Sequence, residues 1–167
     1  MDTVNWGIIG CGNVTEVKSG PAFNKIKDSR LAAVMRRDAG KAKDYAIRHN
    51  VPAWYDDAQK LVNDPDVNAV YVATPPGSHA EYAIMAMKAG KPVYVEKPMA
   101  TSYLECQEMI KVSEKTGVPL FVAYYRRMLP GFVKVKELLD SEIIGKPLFF
   151  SIRFFTPPQD EDFQSNL

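Results

Sequence analysis

Residues 6–20 read WGIIGCGNVTEVKSG. An apolar run meets Gly10-Cys11-Gly12, and polar residues follow. A dinucleotide fingerprint sets Gly-x-Gly-x-x-Gly or Ala between a strand and a helix. Its first glycine permits the tight turn, and its second lets backbone approach a pyrophosphate. Its third lets helix and strand pack closely. Gly10 and Gly12 fill the first two places, while Thr15 stands at the third and demands more room. On this reading Gly10, Gly12, Asn13 and Val14 form a phosphate-binding loop. The two glycines alone also fit an ordinary turn.

The surroundings favour the first reading. Val4–Ile9 is a short apolar run at the start of the chain. Further runs cover Leu31–Met35, Ala69–Ala73, Pro92–Val95 and Leu120–Ala123, with a very short one around Tyr55. Consecutive apolar residues are expected of strands buried on both faces. Helical spacing lies between them: Ala42, Tyr45, Ala46 and His49, then Ala58, Leu61 and Val62. Ser78-x-x-Glu81 and Ser102-x-x-Glu105 read as capping boxes, with Asp56-x-x-Gln59 a weaker case. Gly90 and Gly117 stand where two of these helices stop. Strand and helix alternate steadily, which predicts an α/β fold, a doubly wound parallel sheet with helices on both faces. A helix near Leu129–Leu139 and a Phe-rich strand over Leu148–Phe155 follow, and a polar tail closes the chain.

The bulk composition excludes several functions. The chain has 167 residues, 46% hydrophobic and 25% charged, the balance of a globular protein with a sizeable core. A formal net charge of +1 gives no electrostatic ground for a nucleic-acid or membrane partner. No run approaches the ~18–20 apolar residues of a membrane span. The start, MDTVN, lacks the basic region of a signal peptide. Cys11 and Cys106 match no metal spacing, so no metal and a reducing cytoplasm are expected.

Parallel sheets bind ligands at the carboxyl ends of their strands, so the residues after each run are the candidates. Arg36-Arg37 follows the second run, about 20 residues past the glycines, where an NAD site places an acid on the ribose 2′-hydroxyl. Two guanidinium groups suit a 2′-phosphate instead, which predicts NADP(H) over NAD(H). The alternatives are a solvated basic turn capped by Asp38, or Asp38 itself on the ribose. Thr74-Pro75 after the third run forms a rigid shelf, or an ordinary turn. His79 falls in the first turn of the next helix, where it could join backbone N–H groups on an anion. A lone exposed histidine more often does nothing. Glu96-Lys97 after the fourth run puts a charged pair at the ligand end, with Lys97 placed to bond a substrate oxygen. A surface ion pair is the plain alternative. Tyr124, Arg126 and Arg127 follow the fifth run and suit a polar, hydroxylated or anionic substrate, or merely a solvated helix start.

Gly10-x-Gly12, Arg36-Arg37, ATPPGSH (73–79), EKP (96–98) and YYRR (124–127) stand in one order and spacing. In these residues the chain resembles the Gfo/Idh/MocA oxidoreductases from residue 4 to 155, with Glu96-Lys97-Pro98 carrying most weight. The resemblance implies a Rossmann NAD(P)-binding domain over residues 1–124. Residues 125–167 would then be a linker helix and the start of a C-terminal α/β domain, with Leu148–Phe155 as its first strand. It implies hydride transfer between a nicotinamide and a carbon of a sugar, polyol or related carbonyl or diol. It also implies homo-oligomers formed through the C-terminal sheet. Lys97 matches the family's active-site lysine. Glu96 and the Thr74-Pro75 turn match positions lining nicotinamide and ribose. Thr15 departs from the usual small residue. The family's chains also run longer, so an Asp and a His of a second catalytic motif would lie past residue 167. A truncated piece that binds nucleotide weakly and turns over little is the expectation. A nucleotide-binding sensor with no chemistry is the other reading.

Overall fold

Six apolar runs pair as strands in the computed structural model, which describes residues 3–153 and 155. They are β1 (Val4–Ile9), β2 (Ser29–Met35), β3 (Ala53–Tyr55), β4 (Ala69–Val72), β5 (Val93–Val95) and β6 (Leu120–Val122). Their order is β3-β2-β1-β4-β5-β6, and every pairing is parallel. The chain walks outward from β1 to one edge, returns, and walks outward from β4 to the other. A crevice opens at such a reversal, at the carboxyl ends of the strands.

Six helices join the strands: α1 (Asn13–Val17), α2 (Gly20–Phe23), α3 (Ala39–Arg48), α4 (Ala58–Val62), α5 (His79–Lys88) and α6 (Tyr103–Thr116). Side chains alternate across a strand, and burial on both faces follows that period. Ile8, Val34 and Tyr71 join Phe23 of α2 and Tyr45 of α3 in one apolar cluster. Ile9, Met35, Val70 and Val72 join Leu61 of α4, Met87 of α5 and Met109 of α6 in another. The continuous apolar runs have this cause, and the doubly wound architecture is the expected one. No helix among the described residues is long and apolar enough to cross a membrane.

Helix ends divide the expectations. Ser102 and Glu105 form the reciprocal capping box at α6. At α4 the cap is Asp57, whose side chain accepts from Gln59 N at 2.6 Å, and not Asp56, which pairs with Lys60 at 3.1 Å. Ser78 does not cap α5. Residues 76–78 form a 3-10 turn, and Ser78 Oγ bonds Thr74 Oγ1 at 2.9 Å instead.

A second compact unit begins at Tyr125. It contains a 3-10 turn, Tyr125–Met128, and α7 (Pro130–Asp140), with proline at its first position. The strand expected over Leu148–Phe155 is not formed, for residues 147–153 have no regular structure. A strand is held by ladder bonds to a neighbour, and no described strand pairs with this segment. Phe154 and the tail from residue 156 lie outside the described residues.

Thr15 is accommodated by a glycine that the fingerprint does not contain. Its side chain is fully buried, and its Oγ1 donates to Gly12 O at 2.8 Å. Its carbonyl accepts the Tyr45 hydroxyl at 2.8 Å, joining α1 to α3. A Cβ at Gly20 would overlap both the Thr15 carbonyl oxygen and the Tyr45 hydroxyl. A close approach between α1, α2 and α3 is thus made at Gly20. Gly20→Ala should therefore cost ~1–3 kcal/mol by overpacking, read as a lower urea midpoint with unchanged slope.

An ion cluster also joins α1 to α3. Arg48 Nη2 lies 2.7 Å from Glu16 Oε1, and His49 Nε2 lies 2.7 Å from Glu16 Oε2. Chiefly through the Arg48 hydrogen bond, the Glu16 carboxyl falls from 4.5 to about 2. A depressed acid stabilises the fold above its unfolded value and ceases to do so as pH falls through its folded value. Stability should decline from about pH 4.5 towards about pH 2. Arg48→Met should flatten that decline in urea titrations across the same window.

Candidate functional site

The parallel strands on either side of the reversal in strand order end level with one another. Ile9 is in register with Met35 and with Val72, and Val72 with Val95. The next residue of each chain remains tied to the ladder. Gly10 N donates to Met35 O, Ala73 N to Ile9 O and Glu96 N to Val72 O, each at 2.9 Å. Beyond these bonds the loops part around a cleft of about 870 Å³.

Gly10, Gly12, Asn13, Val14, Arg36, Arg37, Thr74, Pro75, Glu96 and Lys97 all line it. Gly10 has φ +95°, and a Cβ there would lie 2.7 Å from Thr74 Cγ2 and 2.8 Å from Thr74 N. Only glycine lets the β1 loop pass so close to the end of β4. A Cβ at Gly12 would meet nothing within 4 Å. Gly12 stands at the N-terminal end of α1 with no side-chain cap bond. Backbone is therefore what this loop offers to the cleft.

The β2 wall is basic. Arg36 Nη1 donates to Cys11 O at 3.3 Å, which sets the guanidinium against the glycine loop. Asp38 caps α3 by accepting from Lys41 N at 3.1 Å, and Lys41 Nζ lies 3.5 Å from its carboxylate. The Lys41 backbone bond holds the Asp38 carboxyl below its usual range. Lys41 lines the cleft as well, and sequence reasoning missed it. Its signal was a basic residue three places after a helix cap, on the turn that faces the same strand end. Ser78, Tyr82 and Pro98 are further lining residues that were missed.

The β5 wall carries the acid and the lysine. Tyr71, wholly buried in β4, donates its hydroxyl to Glu96 Oε1 at 2.6 Å. The second oxygen, Oε2, accepts from Lys97 N at 3.1 Å. Burial, and then the Glu96 bond, push the Tyr71 phenol well above its ordinary range, so it remains a donor. Its ring stacks on Tyr94 at 5.5 Å and meets Phe23 edge-on at 5.4 Å. A packed aromatic group thus fixes the Glu96 carboxylate, while the Lys97 side chain stays exposed at the mouth. A fixed carboxylate beside an exposed ammonium can orient a polar ligand and donate a proton or hydrogen bond to an oxygen.

Four expected residues stand elsewhere. His79 is 1% exposed and does not line the cleft. Its ring nitrogens face Thr74 O and Pro98 O, so both are occupied by backbone, and the exposed anion ligand is corrected. Tyr124 is half-exposed at the end of the first unit and is absent from the cleft lining. Arg126 and Arg127 lie in the 3-10 turn of the second unit. Among the described residues no group of three or more acidic, His or Cys side chains is placed to hold a metal.

Comparison with known proteins matches residues 4–124 to the model of an oxidoreductase family with an NAD-binding Rossmann fold, GFO_IDH_MocA. Oxidoreductase P35 of Formosa agariphila is 50% identical over 150 residues, which is 90% of this chain and 47% of that protein. Inositol 2-dehydrogenase 2 of Saccharopolyspora erythraea is 35% identical over 147 residues, 87% of this chain and 43% of the relative. In structure, a point mutant of KijD10, a 3-ketoreductase from Actinomadura kijaniata, in complex with TDP-benzene and NADP, superposes with a TM-score of 0.77. It shares 28% identity, over 86% of this chain and 44% of its own. The chain spans about half the length of the curated relatives it matches.

The Tyr71–Glu96 bond is open to measurement. A double-mutant cycle of Tyr71→Phe and Glu96→Gln should give a coupling of about 1–3 kcal/mol, the range for a hydrogen bond to a charged group. Urea unfolding of the four proteins reads it.

Proposed function

The chain belongs to the Gfo/Idh/MocA oxidoreductase family, and on that premise we propose that it is the dinucleotide-holding part of an NADP(H)-dependent dehydrogenase. The substrate class proposed is a sugar, polyol or related diol, oxidised at a CH–OH carbon or formed by reduction of the corresponding carbonyl. The observation that carries the reading is the one cleft that Gly10, Gly12, Arg36 and Lys97 line together.

The residues present fit a dinucleotide. The Gly10–Val14 loop offers backbone to a pyrophosphate, and the space a Cβ of Gly12 would take is open. Arg36, Arg37 and Lys41 gather three cations at the end of β2, which suits a 2′-phosphate better than a bare ribose. The 3-ketoreductase with bound NADP supports that preference by structural likeness. When bound, the nicotinamide supplies hydride transfer, which is chemistry of the cofactor itself. The protein's part is to bind, orient and handle the proton. Glu96, held by Tyr71, fixes the start of the loop that carries Lys97. Lys97 then donates to the substrate oxygen whose carbon gains or loses hydride. Tyr124 is proposed on the substrate side by its place after β6, and a substrate role for Arg126 and Arg127 rests on sequence alone. Two free cysteines support a reducing, cytoplasmic setting.

Fluorescence titration with NADPH and NADH tests the cofactor. NADPH should bind about tenfold or more tightly, as expected of charge-assisted bonds to the 2′-phosphate. Arg36→Asp should abolish the preference. Equal or tighter binding of NADH by the wild-type chain would defeat the NADP(H) reading. In the whole enzyme Lys97→Ala should lower kcat about 10²–10⁴-fold, and unchanged turnover would return the non-catalytic sensor to first place.

A further inference from the structure

We propose that His79 is a positioning residue that holds two walls of the cleft at a fixed separation; the inference rests on the cofactor reading above. His79 opens α5 and is 1% exposed. Its Nε2 lies 2.7 Å from Thr74 O, and its Nδ1 lies 2.8 Å from Pro98 O. Thr74 belongs to the wall that leaves β4, and Pro98 to the wall that leaves β5. The ladder between those strands ends with Glu96 N donating to Val72 O at 2.9 Å. Past that bond the two loops diverge, and the imidazole spans the gap between them.

Both partners are carbonyl oxygens, which only accept. The ring nitrogens lie within hydrogen-bond distance of both carbonyls, so the imidazole bridges the two loops. One end holds the carbonyl of Thr74, whose side chain contacts the Gly10 turn. The other holds Pro98, the residue directly after Lys97. Ser78, one residue before His79, adds a bond from its Oγ to Thr74 Oγ1 at 2.9 Å. His79 itself does not line the cleft, so it acts through Thr74 and through the Lys97-Pro98 segment. Removing it frees a nicotinamide-side wall to move without deleting any group that faces the ligand.

The tie and its consequence are read separately. The chain has only two histidines, His49 and His79, so ring signals of a ¹⁵N-histidine-labelled sample are assigned by loss in His79→Gln. His79 should show a ring N–H proton that exchanges slowly with solvent, as a buried, hydrogen-bonded ring requires. NADPH titration should then find His79→Leu about tenfold weaker than wild type, the worth of a lost hydrogen bond. His79→Gln keeps one amide donor and should fall between the two. A merely structural histidine would lower the unfolding midpoint and leave the NADPH Kd of the folded variants unmoved, and that result overturns the proposal. A ring N–H that exchanges as fast as that of free imidazole overturns the tie. If His79→Leu does not fold, His79→Gln decides, and a wild-type Kd in that variant sinks the idea. A wild-type chain that binds neither NADPH nor NADH removes the cofactor reading and the positioning role with it, while the ring protons still report whether the tie exists.

Discussion

The cleft depends on the register of a parallel ladder. Ile9, Met35, Val72 and Val95 stand at one level, so β1, β2, β4 and β5 release their loops together. The first residue of each loop is still hydrogen-bonded to the neighbouring strand. Main-chain bonds therefore place Gly10, Arg36 and Glu96 before any side chain acts. Register in turn depends on burial on both faces. A slip of one residue would exchange Ile8 for Ile9 and Val34 for Met35, and each belongs to a different apolar cluster.

Side chains then do what the ladder cannot. Beyond its last bond the loops need their own supports, and the molecule supplies them from the buried side. Tyr71 reaches up from β4 to Glu96. Arg36 reaches across to the Cys11 carbonyl. Thr15 satisfies its hydroxyl on Gly12 and lends its carbonyl to Tyr45. Each support joins neighbouring elements, so the loops are held as a set.

The sequence made the sheet, its winding and most of the cleft legible, because those depend on runs and on position after a strand. Gly10, Arg36, Thr74 and Lys97 could be found by inspecting the first residues past each apolar run. Features that escaped depend on distant partners. Gly20 lies five residues past Thr15, and its need to be glycine comes from Tyr45, thirty residues from Thr15 in the Tyr45–Thr15 bond. His79 looked exposed because a helix start beside proline usually is, yet Pro98 covers it from another loop. Ser78 matched a capping pattern, but the 3-10 turn at Pro76 gave it a nearer partner in Thr74. Leu148–Phe155 had strand composition without a described neighbour to pair with.

Gly20 adds a second small-residue requirement behind the glycine loop. In the usual fingerprint three small residues divide the tight turn, the approach of backbone to a pyrophosphate and the packing of helix on strand. Here the loop keeps Gly10 and Gly12, position 15 is a buried threonine, and a further glycine at the start of α2 clears the Thr15 carbonyl and the Tyr45 hydroxyl. Position 15 carries a polar side chain that braces the loop from within. Searches that insist on the third small residue will pass over chains built this way, although the tight turn at Gly10 is kept.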